Sequence, residues 1–266
     1  MKPLMHYTPE YFREAVHPIT IALAGCGGTG SNMLTQLAKI HVSMVAMGLP
    51  GLMVYAYDDD VVSEANRGRQ LFGTGDIGRN KSIVLIERIN RFFSLDWEAF
   101  PVKFGLYDKQ PASNITISCV DTVRSREMIQ ETLKQQNADK SDWREDYSTP
   151  YYWMDLGNAK KTGQIILGTV PDAIKQPRMR KTKAIKKLLT VFEMFPDLKK
   201  YENKRDQGPS CSMAEALGKQ DLFINSIMAQ YAGQMLWDFL KDDQIGYQGL
   251  FINLENHLNS PIPLSA

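Results

Sequence analysis

Cysteine is scarce in this chain: three in 266 residues (Cys26, Cys119 and Cys211), with no CxxC pair. An odd, sparse set builds no disulfide framework and cannot supply four thiolates to a zinc ion, so a reducing cytosol is the expected compartment. Apolar runs of the roughly 18 residues needed to span a membrane are also missing. The opening residues, MKPLMHYTPEYFREAVHP, mix charges with prolines and do not read as a signal peptide. Neither sign of charge dominates. The formal net charge is +1, so no global field argues for a nucleic-acid or membrane partner. Internal repeats and low-complexity tracts are absent. What is present, 43% hydrophobic residues with 19 Gly and 13 Pro, suffices for one large core or for a core with an appended subdomain.

The first 160 residues alternate strand-like and helix-like segments. ITIALA (19–24) is a short apolar, β-rich run that breaks at Gly25. GCGGTG follows, then SNMLTQLAKIHVSMVAMG, whose apolar positions Met33, Leu34, Leu37, Ala38 and Ile40 to Val42 fall near helical spacing. LMVYAY reads as a second strand and ends in Asp58, Asp59 and Asp60. Residues 79–93 read as a helix, EAFPVKF as a third strand, NITISCV as a fourth ending at Asp121, 124–137 as a polar helix and YYWMDL as a fifth strand. Such alternation predicts an α/β fold, a Rossmann-like, mostly parallel sheet with right-handed crossovers and flanking helices. Beyond residue 160 the pattern changes to a strand (GQIILGTV), a long polar stretch to Ser210, a helical pattern over 212–240 and a C-terminal hairpin around Asn256–Ser260. The expected organisation is one domain over 1–266, with a nucleotide-binding half (1–160) and a decorating half (161–266) that adds antiparallel strands.

Strand, GxGGxG and helix in that order place Gly25, Gly27, Gly28 and Gly30 where backbone can approach phosphate and helix amides face negative charge. The same glycines could form only a tight turn. A dinucleotide-binding unit expects its ribose-binding acid about 20 residues past the glycines, whereas Asp58 lies 28 residues beyond Gly30. That spacing argues against NAD. Arg69 and Lys81 follow the strand end, and two fixed cations beside a glycine turn suit a triphosphate, because they stabilise charge spreading onto leaving pyrophosphate.

GCGGTG, DDDVVSEANRGRQ, DIGRNK and DTVRSR stand in this order. They resemble the family pattern GxGGxG, D-x-D-x-V-x-x-x-N-x-x-R-Q, D-x-G-x-x-K and D-N-x-x-[ST]-R of the ThiF/MoeB/HesA family, bacterial relatives of ubiquitin-activating enzymes, and the ThiF-like members of PRTRC plasmid gene clusters. The resemblance is close over residues 19–126 and looser through the long helix and terminal hairpin. It implies an adenylyltransferase that uses ATP and Mg²⁺ to activate the C-terminal carboxylate of a small ubiquitin-like protein, working as a homodimer. By the same resemblance Gly25, Gly27, Gly28 and Gly30 hold phosphates, Asp58 takes the ribose hydroxyls with Asp60 close by, and Asn66, Arg69 and Gln70 line the triphosphate. Lys81 contacts phosphates in the transition state, and Asp121 binds Mg²⁺, a hard cation suited to one or two carboxylates plus phosphate oxygens. Thr122 stands where the family has Asn, which puts nucleotide contacts there in question. The zinc-binding CxxC pairs common in relatives are missing, so no zinc is expected. Relatives borrow an N-terminal arginine across the dimer, and Arg13 is the only arginine before the glycine turn.

Several residues keep two readings. Cys211, in GPSCSMAEAL just before the helical pattern, sits where relatives can form a covalent link to the partner's C-terminus. A thiolate at a helix N-terminus would be reactive, and the plainer reading is a spectator near a helix cap. Cys26 and Cys119 read as packing residues, and Arg126 as either catalytic or a salt-bridging helix residue. Lys175–Lys187, with seven Lys or Arg in 13 residues, is a solvated face or a docking surface for an acidic partner. Two other functions stay open: adenylation of a small molecule or a tRNA, and a non-catalytic nucleotide-binding scaffold.

Overall fold

The computed structural model describes residues 2–106, 110–138, 148–198, 200, 218 and 220–265. A short strand, β1 (Leu4–Tyr7), and one helical turn, α1 (Glu10–Arg13), precede the parallel unit. That unit comprises β2 (Ile19–Ala24), α2 (Gly28–Ala46), β3 (Leu52–Tyr57), α3 (Lys81–Phe93), β4 (Glu98–Phe100), β5 (Ile115–Ser118), α4 (Val123–Ala138) and β6 (Tyr152–Asn158). It continues through β7 (Thr162–Thr169), β8 (Lys183–Ala184), α5 (Val191–Met194), α6 (Ile224–Lys241), β9 (Gln244–Ile245), β10 (Tyr247–Asn253) and β11 (Leu258–Pro263).

Eight strands form one sheet in the order β11-β10-β7-β6-β5-β2-β3-β4. Strands β4, β3, β2, β5 and β6 are parallel, and β7, β10 and β11 extend them antiparallel. The fold is therefore α/β, a mainly parallel sheet flanked by helices and completed by a C-terminal hairpin. All six residues of β2 are buried, as expected for a central parallel strand covered on both faces. Its two faces differ in size. Ile21 and Leu23 join the larger core with residues of α2, α3 and α6, while Ala22 and Ala24 face the smaller core with Ile129 and Leu133 of α4 and Val191 of α5. Large side chains fill the thick helical layer, and alanines let α4 approach closely.

Local chemistry sets the boundaries. Helix α3 starts at Lys81 rather than 79, because the Asn80 side chain accepts from the Ile83 N–H at 3.1 Å and caps the first turn. The strand expected over EAFPVKF stops at Phe100, since Pro101 has no N–H to give the ladder. The strand read at 163–170 pairs antiparallel with β6. The described part of the 212–240 helical pattern is α6, Ile224–Lys241. Outside the main sheet, β1 lies between β8 (parallel) and β9 (antiparallel). There the buried His6 bonds the Ile185 carbonyl at 2.7 Å and the Tyr152 hydroxyl at 2.9 Å.

Candidate nucleotide site

The chain leaves β2 toward β3 on one side, and β5 returns on the other. The carboxyl ends of β2 and β5 thus flank a topological switch point, where the connections part and where open α/β sheets in general bind their ligands. Gly25–Gly30 follow the carboxyl end of β2, Asp58 that of the adjacent β3 and Asp121 that of β5.

The glycines of the turn serve different ends. Gly25 has φ +92°, and a Cβ there would stand 2.8 Å from the Cys119 carbonyl oxygen, so only glycine fits. A Cβ on Gly30 would stand 1.9 Å from the Gly25 carbonyl oxygen; this glycine lets α2 sit on the turn. A Cβ on Gly28 would meet the Asn225 amide at 2.6 Å. Gly27 alone of the four has no heavy atom within 4 Å of a built Cβ. It is also the N-cap of α2, whose first turn has no side-chain cap and no acidic residue. Among the described residues no side chain caps this end, and the leading N–H groups of a helix are the kind of donors that suit an anion.

Asp58 binds the same turn. Its Oδ2 accepts from the Cys26 N–H at 2.6 Å and its Oδ1 from the Asp60 N–H at 2.9 Å. Burial raises its pKa from the ordinary 3.8, opposed by the Lys81 charge and these two amide bonds. Asp60 forms an ion pair with Lys81 at 2.7 Å; Lys81 is buried and Asp60 largely exposed. Asn80 ties this corner together, its amide donating to the Asp58 and Asp60 carbonyls at 2.8 and 3.1 Å. Sequence reasoning missed Asn80, although an asparagine directly before a helical pattern is an N-cap signal. Asp58, Asp59 and Asp60 have carboxylate oxygens within 4.8 Å of one another, but each is engaged: Asp58 by loop amides, Asp60 by the Lys81 ammonium and Asp59 by Lys103 at 3.5 Å.

Asn66 closes a 3-10 turn (Glu64–Asn66), accepting from Ser63 N–H and hydroxyl at 2.8 and 3.1 Å. Its carbonyl takes the Gln70 N–H at 3.1 Å, so Asn66 shapes the segment that carries Arg69 and Gln70. Arg69 Nη1 donates to Gln220 Oε1. Among the described residues, Arg69 Nε and Gln70 Oε1 are buried without a hydrogen-bond partner. Burial lowers the Arg69 pKa, though a guanidinium stays protonated.

Asp121 is exposed just beyond β5. The Thr122 hydroxyl accepts from the Ser125 N–H at 3.1 Å and lies 2.7 Å from the Ser125 hydroxyl. It caps α4, a role that stands beside the nucleotide contact expected of it, since a hydroxyl has a second lone pair. Arg126 is buried and pairs with Asp155 at 2.8 Å, so it is the salt-bridging helix residue. Cys26 and Cys119 are packing residues, and burial pushes both thiols far above their ordinary range. Cys211 lies outside the described residues. Arg13 is exposed at the end of α1. In the basic segment, Gln176 brackets the Tyr7 backbone at 2.8 and 2.9 Å and Thr182 lies 2.7 Å from the Tyr7 hydroxyl. Arg178, Arg180 and Lys181 between them are exposed.

Solved structures share this architecture at low identity. PaaA matches with a TM-score of 0.56 and 16% identity, over 95% of this chain and 66% of that one. E. coli MccB matches with a TM-score of 0.59 and 13% identity, over 96% and 64%. E. coli MccB with AMPCPP and MccA gives 0.60 and 14%, over 96% and 66%. The chain thus spans 64–66% of the length of these structures, and at such identities the likeness establishes the fold. No curated protein sequence matches the chain. The ThiF family matches over residues 4–260, nearly the whole length, and the chain belongs to that family.

Proposed function

We propose that this chain is an ATP-dependent adenylyltransferase of the ubiquitin-activating kind, acting on the C-terminal carboxylate of a small ubiquitin-like protein. Residues 1–266 work as one adenylating unit, as a homodimer in the cytoplasm. The observation that carries the reading is the turn itself: an open Gly27 at the uncapped start of α2, with Asp58 bonded to a turn amide. E. coli MccB, which shares the fold, has been solved with ATP and with AMPCPP and MccA; this supports ATP use and a protein or peptide partner.

The residues fit the substrate. Phosphates lie over Gly27 against the α2 amides, and the Asp58 carboxylate keeps lone pairs for ribose hydroxyls beyond those given to Cys26 and Asp60. Arg69 brings a buried Nε–H without a partner among the described residues, and Lys81 a charge that Asp60 holds in place. The acceptor carboxylate is ionised at neutral pH, so no general base is needed. One carboxylate oxygen bonds to the α-phosphorus while the bond to the bridging oxygen of pyrophosphate breaks, and pyrophosphate leaves with that electron pair. Arg69 and Lys81 hold the developing charge, and catalysis is positioning plus electrostatics. Mg²⁺ on Asp121 would add Lewis-acid charge to the leaving phosphates.

The test is ATP–pyrophosphate exchange with the acceptor isolated by pull-down. Arg69→Ala and Lys81→Ala should each lower exchange by about a hundredfold or more with unchanged circular dichroism. Exchange at the unmutated rate would remove both residues from the mechanism.

A further inference from the structure

Arg69 does not reach the turn through its own loop alone. Its Nη1 donates to Gln220 Oε1, and the same oxygen accepts from Asn225 Nδ2 at 3.3 Å. Asn225 Oδ1 in turn accepts from the Thr29 hydroxyl, in the first turn of α2, at 2.9 Å. Asn158 Nδ2, at the end of β6, lies 3.5 Å from that oxygen. Asn225 is 2% exposed and occupies the space a Cβ on Gly28 would need. One hydrogen-bonded chain therefore runs from the guanidinium through Gln220 and Asn225 to the N-terminal turn of the phosphate-facing helix. It joins four segments distant in sequence.

We propose that Gln220 and Asn225 are positioning residues that fix the Arg69 guanidinium relative to the glycine turn, so that its free Nε–H faces the β- and γ-phosphates. The inference rests on reading the turn as an ATP site. A neutral amide suits the task. It orients a guanidinium by accepting one hydrogen bond, and leaves the positive charge available to phosphate, whereas a carboxylate would neutralise it in a bidentate pair. Gly28 then has a reason unrelated to phosphate: it makes room for Asn225. Both amides stand at or before the start of α6, in the second half of the chain, so the C-terminal half sets the geometry of a cation supplied by the N-terminal half.

The experiment compares ATP with adenosine by titration calorimetry on the full chain. Positioning of Arg69 affects only ligands carrying the outer phosphates. Gln220→Ala should weaken ATP by about ten-fold, or about 1.4 kcal/mol, and leave adenosine unchanged. Gln220→Glu should weaken ATP at least as much, by capturing the guanidinium. Asn225→Ala should act in the same direction as Gln220→Ala, and the double variant should be no worse than either alone. Equal weakening of ATP and adenosine, or unchanged ATP affinity in Gln220→Ala, would overturn the inference. An independent readout is the Nη1 N–H signal of Arg69, the group that bonds Gln220 Oε1, by low-temperature NMR, assigned by its loss in Arg69→Lys. It should be protected from exchange in the unmutated protein and lose that protection in Gln220→Ala. If the unmutated protein bound neither ligand, the ATP reading would fall and this signal alone would judge the hold: lost protection supports it, retained protection refutes it.

Discussion

Three alanine substitutions in one turn should have three different outcomes, because the space beside each glycine differs. At Gly30 the new Cβ stands 1.9 Å from the Gly25 carbonyl oxygen, against an ordinary carbon–oxygen contact of about 3.3 Å. Backbone must move by more than an ångström, and both partners are backbone, so no rotamer relieves the clash. Overpacking costs about 1–3 kcal/mol and sometimes more; Gly30→Ala belongs at or above the upper end. In a chain of this size that lowers Tm by roughly 6–12 °C, at about 2–4 °C per kcal/mol. Gly28→Ala drives its Cβ to 2.6 Å from the Asn225 amide. That buried side chain can shift only by giving up hydrogen bonds, so the cost is intermediate, about 1–2 kcal/mol. Gly27→Ala meets nothing within 4 Å, and stability should change by less than about 1 kcal/mol. Its methyl group instead enters the space offered to phosphate, and ATP should weaken by about ten-fold or more, each tenfold being about 1.4 kcal/mol. Thermal denaturation and calorimetric ATP titration on the same three proteins give both readouts. A Gly30→Ala protein as stable as the unmutated one, or a Gly27→Ala protein that binds ATP normally, would refute this reasoning.

Two further predictions concern buried charge. Arg126→Ala strands Asp155, which is 1% exposed and has one carboxylate oxygen without a partner among the described residues; removing one member of such a pair costs about 3–5 kcal/mol. Urea unfolding measures this, and a loss under about 1 kcal/mol would show the pair contributes as weakly as surface pairs do. Asp58 titrates above the ordinary 3.8 because burial penalises its charge. Its contribution to fold stability is therefore fully present below the unfolded value and is lost as pH rises through the folded one. Ribose binding needs the ionised form, so adenosine affinity should fall on acidification with a midpoint above 3.8, and Asp58→Ala should abolish that step. A midpoint at or below the unperturbed value would contradict the burial argument.

Much of the site was legible because the parallel unit writes its chemistry locally. ITIALA, GCGGTG and the aspartates after LMVYAY each combine a strand end with the turn that follows it, and Asp58 meets the glycine turn where β2 and β3 end side by side. What escaped reading depends on contacts distant in sequence. LMHY is too short to show alternation and becomes β1 only by pairing with residues 183–184 and 244–245. Gln220 and Asn225 belong to no motif, and nothing in IN or KQD announces a contact with Thr29 or Arg69. Gly28 looked like its neighbours in the pattern, and only the packing of Asn225 separates its role from that of Gly27. Thr122 could have been anticipated as a helix cap, since Thr three residues before Ser125 at a helix start is a favoured capping position.

If ATP sits on the Gly25–Gly30 turn, calorimetric titration of the unmutated chain with ATP and Mg²⁺ detects it. One site per chain is predicted, with adenosine competing for it and affinity falling when Mg²⁺ is removed by chelation. Absence of binding at millimolar ATP, or binding that Gly27→Ala and Asp58→Ala both leave intact, would contradict it.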